Sequence, residues 1–203
     1  MRSGCSLENH PDGIHGRVQS GRSRSKFKRI IRKLAERDRH PTMRLNQHGN
    51  PTGTNRMIHI EETLVLIKPD ALAGGLTGEI IRRFEAAGLK VGNVRWTCPS
   101  LAMLTKHYAD LKSKNPGAFD RNIRYLAKKN TLALLLVGVN AIAKARMLIG
   151  PTEPSVAPPG TIRGDLSSDT IKFADSQDRG LYNLVHAADS PDSARKEIKL
   201  WFG

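Results

Sequence analysis

The nine residues Tyr182–Ser190 (YNLVHAADS) decide the fold, because they combine a short apolar strand with the start of a helix. The strand ends on His186, and Asp189 and Ser190 are residue types that favour the N-cap of a helix. Pro191 suits the first helical position, where its missing N–H has no helical partner to lose. The stretch therefore predicts an imidazole that is fixed at a strand end beside the start of a helix.

Strand-like and helix-like patterns alternate before this stretch. Strands are predicted at 63–67, 89–97, 131–139 and 183–185, and helices at 77–87, 100–112, 120–128, 141–148 and 191–202. Asn140 is expected to cap the fourth of these helices, and a long proline-rich loop follows it. This order indicates an α/β (α+β) sandwich that is built on a small sheet.

The charge of the chain is concentrated at its N-terminus. The net charge is +14 over 203 residues, and residues 1–56 hold 13 Lys or Arg against four Asp or Glu. Such a composition cannot bury enough apolar surface to offset the entropy of ordering. We therefore expect residues 1–56 to be a basic, mostly disordered extension and residues 57–203 to be the folded domain. A short basic amphipathic helix at 25–39 and a true start at Met57 are alternatives that the residues leave open.

No segment of the sequence predicts a membrane span or a secretory signal. The longest apolar run, Leu132–Val139, is too short to cross a bilayer. The N-terminus has no apolar core of a signal peptide. Its Arg- and Ser-rich start is also compatible with an organellar transit peptide, but a plain disordered tail is favoured. We therefore expect a cytoplasmic protein without membrane contact.

His186 has several potential phosphate ligands upstream in the chain. Lys68, Arg146, Thr152 and Arg163 each lie in a glycine- or proline-rich turn. Guanidinium groups match phosphate oxygens with two parallel hydrogen bonds, and a threonine adds a hydroxyl donor. One nucleophile together with several phosphate ligands predicts phosphoryl transfer through a phosphohistidine.

Six separated motifs of this sequence resemble, in the same order, those of nucleoside diphosphate kinases. They are Thr63–Asp70 (TLVLIKPD), His107–Lys112 (HYADLK), Arg146–Thr152 (RMLIGPT), Pro159–Asp165 (PGTIRGD), Asn183–His186 (NLVH) and Lys196–Phe202 (KEIKLWF). The resemblance covers roughly residues 60–203. It implies a ferredoxin-like core, in which helices cover a four-stranded antiparallel sheet.

The resemblance also implies a reaction and its catalytic residues. His186 matches the histidine that takes the γ-phosphoryl group of a nucleoside triphosphate, such as ATP, and passes it to a nucleoside diphosphate by ping-pong kinetics. Glu197 matches the glutamate that supports this histidine. Mg²⁺ is the implied cofactor, held mainly by the nucleotide phosphates and not directly by the protein.

Further residues complete the implied nucleotide site. Lys68, Arg146, Thr152 and Arg163 match phosphate ligands, and Tyr108 matches a tyrosine close to the reactive histidine. The two remaining positions are Asn183, which matches a ligand of the sugar hydroxyl, and Phe119, the candidate for the ring that stacks on the base. Ordinary core packing is the alternative for Phe119.

The sequence departs from the family pattern at several places, two of which lie near the predicted site. The stretch Asn115–Ala118 replaces a more compact turn, which affects the assignment of Phe119. Ala187 and Ala188 replace a Gly-Ser pair and remove a hydroxyl close to the nucleophile. These departures put the rate in doubt more than the activity.

The resemblance implies a homo-oligomer, either a hexamer or a tetramer. The basic extension predicts a weak contact with nucleic acid. An alternative function follows from it, namely a catalytically weak or inactive scaffolding protein that binds nucleic acid through residues 1–56. The six other histidines, at positions 10, 15, 40, 48, 59 and 107, lack the sequence surroundings of His186 and receive no role.

Overall fold

The computed structural model describes residues 60–203, so the predicted extension and its amphipathic helix lie outside the described residues. The strands are β1 (Ile60–Ile67), β2 (Lys90–Thr97), β3 (Thr131–Val139) and β4 (Val185–Ala187). The longer helices are α2 (Thr77–Ala86), α3 (Leu101–His107), α5 (Pro116–Leu126), α6 (Ala141–Ile149) and α9 (Pro191–Phe202). Four shorter helices are α1 (Pro69–Ala73), α4 (Ala109–Lys114), α7 (Ile162–Leu166) and α8 (Ile171–Ser176), and a single 3₁₀ turn covers Pro154–Val156.

The four strands form one antiparallel sheet in the order β2-β3-β1-β4. Strand β1 pairs antiparallel with β4, with Leu66 opposite His186 and Ile67 opposite Val185. Strand β2 pairs antiparallel with β3, with Trp96 opposite Leu132. The predicted ferredoxin-like core is therefore confirmed, and the sheet carries His186 on an edge strand next to the end of β1.

Side chains of β1 alternate between the two faces of the sheet, as the period of a strand requires. Val65 and Ile67 belong to one hydrophobic cluster, which includes Phe84 of α2. Leu64 and Leu66 belong to a second cluster on the other face of the strand. The packing of helices against both faces thus makes β1 a fixed support for the residues that follow it.

Several local predictions differ from the structure. The strand predicted at 183–185 lies at Val185–Ala187, because Asn183 and Leu184 belong to a turn. The helix predicted at 120–128 lies at Pro116–Leu126, because Asn115 caps its start and Lys128 lies in the left-handed region.

The helix predicted at 100–112 is interrupted at Tyr108, which ends α3 and precedes α4. Asn140 is the N-cap residue of α6, as predicted, but it lies in the left-handed region at φ 50° and its side chain makes no capping bond. The carboxylate of Glu61 accepts from the N–H of Ile142 instead, at 3.1 Å. A cap supplied by another strand leaves no local signal in the sequence.

None of the helices within residues 60–203 is long and apolar enough to cross a membrane.

Candidate active site

A strained turn at Leu184 leads into β4 and holds His186 of that strand beside the end of β1. Leu184 has φ of +66°, which is uncommon for a residue other than glycine. The N–H of Val185 donates to the carbonyl of Asn183 at 2.7 Å, so the three residues form a γ-turn. Such backbone strain persists only where the surroundings hold it, and it concentrates at functional sites.

Asp70 holds this turn in place. Its Oδ2 accepts from the N–H of Leu184 at 2.9 Å, and its Oδ1 accepts from the hydroxyl of Tyr125 at 2.8 Å. The N–H of Lys68 also donates to the carbonyl of Leu184, at 2.8 Å. The Lys-Pro-Asp sequence after β1 therefore places Lys68 in the site and also holds the turn before His186 through hydrogen bonds to Leu184. The sequence motif alone did not indicate this role for Asp70.

Glu197 lies beside His186, as predicted. Its Oε2 is 2.9 Å from Nε2 of the imidazole. Burial lowers the pKa of His186 to about 3, and the positive charges of Lys68, Arg163 and Arg146 act in the same direction. The imidazole is therefore neutral near pH 7.

The protonation of Glu197 decides which ring nitrogen of His186 has a free lone pair. Burial raises the pKa of Glu197 to about 7. The ionised carboxylate only accepts, so Nε2 then carries the hydrogen and Nδ1 keeps its lone pair. Nδ1 forms no hydrogen bond with any residue from 60 to 203.

Lys68 and Asn183 form the next contact of the site. The ammonium of Lys68 donates to Oδ1 of Asn183 at 2.6 Å, and Nδ2 of Asn183 donates to the carbonyl of Thr152 at 2.8 Å. Both side chains are buried. Burial lowers the pKa of Lys68 to about 8, while the charge of Asp70 acts against this shift. Asn183 thus links the end of β1 to the loop that carries Thr152.

Arg163 is buried, and its acceptors among the described residues are all main-chain carbonyls. Its Nε donates to Asn183 at 3.1 Å, Nη1 to Gly150 and Pro151 at 2.9 Å each, and Nη2 to Val185 at 2.7 Å. A guanidinium has five N–H groups, so one remains on Nη2. Burial lowers the pKa of Arg163 to about 10. The residue predicted as a phosphate ligand is therefore also the clamp that holds the proline-rich loop against β4.

The neighbouring Gly164 explains why the loop can approach so closely. A Cβ at this position would overlap the carbonyl oxygens of Pro158 and Ala157. Only glycine therefore permits the start of α7 to pack against the preceding turn.

Arg146 and Thr152 add a further cation and a hydroxyl group to the site. Arg146 lies in the last turn of α6 and is half-buried. Within residues 60–203 its guanidinium makes no hydrogen bond or ion pair, and the hydroxyl of Thr152 makes none either. These two side chains, unlike Arg163, keep all of their donors for a ligand.

Tyr108 lies close to His186, the position that the resemblance implies for it. The centroids of its ring and the His186 ring are 6.3 Å apart. Burial raises the pKa of Tyr108, so its hydroxyl remains a hydrogen-bond donor in the physiological range.

His107 also belongs to this cluster, although sequence analysis gave it no role. Its ring lies 4.6 Å from the ring of His186 and 4.6 Å from that of Tyr108. Trp201 Nε1–H donates to its Nδ1 at 3.3 Å. One sequence signal was available, because Trp201 follows Glu197 by one helical turn on α9 and His107 precedes Tyr108 directly.

Phe119 is buried, with 7% of its surface exposed, in the hydrophobic cluster that contains Leu64 and Trp201. The ammonium of Lys112 lies 5.7 Å from the centre of its ring. The structure thus places Phe119 in core packing, the alternative stated above, and its stacking on a base stays a prediction.

The carboxylates around His186 are already engaged by protein groups. Glu197 contacts the imidazole, and Asp70 accepts from the backbone and from Tyr125. Mg²⁺ prefers oxygen ligands, often one or two carboxylates together with substrate phosphates. The donor set therefore fits a magnesium ion that arrives on the nucleotide phosphates better than one held by the protein.

Known proteins are similar to this chain in both sequence and fold. Residues 61–203 match the profile of the family described as nucleoside diphosphate kinase. A nucleoside diphosphate kinase of Caldanaerobacter subterraneus subsp. tengcongensis is 41% identical over 146 residues, which are 72% of this chain and 96% of that protein. A Nicotiana tabacum protein named nucleoside diphosphate kinase 2, chloroplastic, is 43% identical over 148 residues, which are 72% of this chain and 58% of that protein.

A solved structure agrees with these relatives. The nucleoside diphosphate kinase of Borrelia burgdorferi, described as a transition-state mimic with bound vanadate and ADP, superposes with a TM-score of 0.69. The two chains are 32% identical, and the match covers 71% of this chain and 88% of that one.

Proposed function

The chain belongs to the nucleoside diphosphate kinase family and is a phosphotransferase, and we propose that it transfers the γ-phosphoryl group through Nδ1 of His186. The observation that carries this proposal is the neutral imidazole, which Glu197 holds at Nε2 and which lies near cations that pair with no carboxylate of residues 60–203. A free lone pair on Nδ1 and positive charge around it are what attack on a phosphate requires.

The first half-reaction forms a bond between Nδ1 of His186 and the γ-phosphorus of a nucleoside triphosphate. The bond from phosphorus to the bridging oxygen breaks, and its electron pair leaves with the nucleoside diphosphate. Nε2 keeps its hydrogen, so the phosphorylated ring carries a positive charge, which the carboxylate of Glu197 stabilises. The second half-reaction is the reverse, with another nucleoside diphosphate as the acceptor.

Cationic and hydroxyl groups hold the phosphates during both half-reactions. Arg146 and Thr152 offer all of their donors, and Arg163 offers its remaining N–H. Lys68 and Tyr108 add an ammonium and a phenolic hydroxyl. Because Lys68 and Arg163 are held by hydrogen bonds before substrate arrives, they stabilise charge on the phosphoryl oxygens with little reorganisation.

Magnesium enters this scheme with the substrate. When bound to the nucleotide, Mg²⁺ neutralises charge on the phosphate oxygens and orients them. Asn183 and Phe119 are the proposed contacts with sugar and base, which requires Asn183 to exchange a protein contact for the sugar hydroxyl. Stacking reads the face of a base and not its edge, so we expect acceptance of several bases.

Homo-oligomer formation is part of the proposal, and the exposed edge of the sheet supports it. Strand β2 lies at this edge, and Val94 and Trp96 are 50% and 59% exposed on it. Apolar side chains on an open edge strand favour association with another chain. The sequence supports four further proposals. They are a hexamer or tetramer, a folded domain from residue 57, a weak nucleic-acid contact through residues 1–56 and a cytoplasmic location.

The test is trapping of the phosphorylated protein. Full-length protein is incubated with Mg²⁺ and γ-labelled ATP, and the label is checked for loss in acid and retention in base. We expect label on the wild type and on His15→Ala, a control histidine of the extension, and none on His186→Ala. Addition of a nucleoside diphosphate is expected to move the label into a triphosphate. Label that persists in folded His186→Ala contradicts the proposal.

A further inference from the structure

His107 has a defined tautomer in this structure. The indole of Trp201 can only donate a hydrogen bond, and it donates to Nδ1 of His107 at 3.3 Å. Burial lowers the pKa of His107 to about 3, so the ring is neutral near pH 7. A neutral imidazole that accepts at Nδ1 carries its hydrogen at Nε2. His107 therefore presents an N–H group, not a lone pair, on the side away from Trp201.

This N–H group is buried and has no acceptor among residues 60–203. A buried donor without a partner costs free energy, and such groups in native proteins have an explanation in most cases. One donor or acceptor atom of each of His107, His186 and Glu197 lies within 4.8 Å of the others. Glu197 has two carboxylate oxygens, and only Oε2 has a partner in the described part of the chain.

We propose that His107 is a positioning residue, whose Nε2–H donates to the carboxylate of Glu197 in the reacting state and so keeps His186 as the tautomer with a free Nδ1. The inference rests on the proposed function, in which Nδ1 is the nucleophile. The contact requires the Glu197 carboxylate to move towards His107 Nε2, and it satisfies the orphaned donor. The carboxylate then accepts from two imidazoles, which favours its ionised form.

The same tautomer argues against a metal site at these three residues. Two imidazoles and one carboxylate are the donor set of several catalytic zinc sites. A ligating histidine, however, gives a lone pair to the metal and donates its other N–H to an acceptor. His107 has the opposite arrangement, because its other nitrogen faces the donor of Trp201.

The charges that surround Glu197 are consistent with this role. Among neighbouring groups, His107 and Arg146 lower the pKa of Glu197, and Asp189 raises it. His186 contacts the carboxylate from β4. Glu197 and His107 also line a groove between α3, α4 and α9, in which the other charged side chains are Lys106, Asp110, Lys196 and Lys199.

The experiment measures the tautomer of His186 in the full-length, unphosphorylated protein. Histidine ring ¹⁵N shifts are followed from pH 5.5 to 8.5 in the wild type, in His107→Phe, which removes the donor, and in His107→Gln, which restores an N–H. Protonation of Glu197 moves the His186 hydrogen from Nε2 to Nδ1, and we expect a midpoint near pH 7. In His107→Phe the midpoint is expected about one pH unit higher, a tenfold change in the ionisation of Glu197.

Two further variants make the test specific. Lys106→Ala removes an exposed charge from the same groove and is expected to leave the midpoint within about 0.2 pH unit, since exposed charges are screened. Trp201→Phe frees the tautomer of His107 and is expected to raise the midpoint by a smaller amount, which keeps the test decisive should His107→Phe not fold. His107→Gln is expected to return the midpoint towards that of the wild type.

The kinetics of phosphoenzyme formation provide the second readout. The acid limb of the rate is expected to move with the tautomer midpoint in each variant. An unchanged midpoint in folded His107→Phe, or an equal loss of rate at every pH, overturns the inference. If the wild type shows the expected tautomer change but no phosphoenzyme, the proposed function fails and the positioning of Glu197 stands by itself.

Discussion

Two arginines of this protein, Arg163 and Arg179, are fixed in opposite ways. Arg179 forms two parallel bonds with the carboxylate of Asp169, at 2.7 and 2.8 Å, and lies 4.1 Å above the ring of Tyr182. Its hydrogen bonds with Asp169 raise the pKa of Arg179. In the described part of the chain the partners of Arg163 are carbonyl groups, and burial lowers its pKa to about 10.

The difference between these two arginines distinguishes a charge that is paired inside the protein from charges that are available to a ligand. The positive charge of Arg179 is neutralised inside the protein, so it attracts no further anion. Within residues 60–203, Lys68, Arg146 and Arg163 form no ion pair with a carboxylate, and their charges together lower the pKa of His186. Positive charge that no carboxylate pairs with attracts anions, which supports the proposal that the nucleotide phosphates bind here.

Among the variants that test this comparison, Arg146→Met is expected to have the largest effect on kcat/KM. Arg146 has no protein partner within residues 60–203, so its loss removes phosphate binding and little else. We expect kcat/KM to fall about 10²–10³-fold, as for other preorganised donors in a transition state. The free energy of unfolding in urea is expected to change by less than about 0.5 kcal/mol. A large loss of stability with little loss of kcat/KM contradicts the assignment.

Arg163→Met is expected to destabilise the protein by about 3 kcal/mol, since it leaves buried carbonyl groups without donors. The four affected carbonyls belong to Asn183, Gly150, Pro151 and Val185. The measurement is the urea midpoint, with Arg163→Lys as the control that keeps the charge but loses the fork. A stability equal to that of the wild type would show that the clamp carries no weight.

The pH dependence of the first half-reaction tests the Glu197 contact. The pKa of Glu197 is raised to about 7, so the carboxylate that orients His186 is lost as pH falls through 7. We expect the single-turnover rate to fall about tenfold per pH unit below pH 7. In Glu197→Gln the rate is expected to be low and flat over the same range. A tenfold limb that persists in Glu197→Gln points to another titrating group.

The same pKa shift acts on stability with the opposite sign. In the folded protein Glu197 keeps its proton up to about pH 7. In the unfolded chain its pKa has the usual value of 4.5, so it loses the proton at lower pH. Its contribution to stability is therefore complete below pH 4.5 and is lost as pH rises through 7. Glu197→Gln is accordingly expected to be more stable than the wild type at pH 8, which thermal unfolding measures.

The smallest expected effect comes from Arg179→Met. This change removes a compensated cation, so the free energy of unfolding is expected to fall by about 1 kcal/mol and kcat/KM to stay within about twofold. Asp169→Asn serves as its matched partner, because it breaks the same pair from the other side. A loss of kcat/KM as large as that of Arg146→Met would remove the distinction between the two kinds of arginine.

The sequence predicted the elements of the site better than their contacts. The apolar runs identified three strands closely and the fourth with a shift of two residues. Of the residues that the motifs indicate, His186 contacts Glu197 and Lys68 contacts Asn183. Local patterns suffice here because each residue lies at the end of a strand or on the buried side of a helix. The ferredoxin-like fold then brings those positions together.

The remaining features depend on contacts between distant parts of the chain. The clamp of Arg163 needs carbonyls from two loops, and the cap of α6 needs Glu61 from a different strand. His107 gains its role only because the indole of Trp201, far along the chain, fixes its tautomer. The burial of Phe119 likewise follows from packing between α5 and α9, which residue types alone do not determine.

The ring nitrogen that carries the phosphoryl group tests the central claim most directly. Protein labelled with ¹⁵N in its histidine rings is phosphorylated with Mg²⁺ and ATP, and the coupling between ³¹P and ¹⁵N is recorded before the phosphoenzyme decays. The contact between Glu197 and Nε2 predicts phosphorus on Nδ1 of His186. Phosphorus on Nε2, or on any residue other than His186, would contradict it.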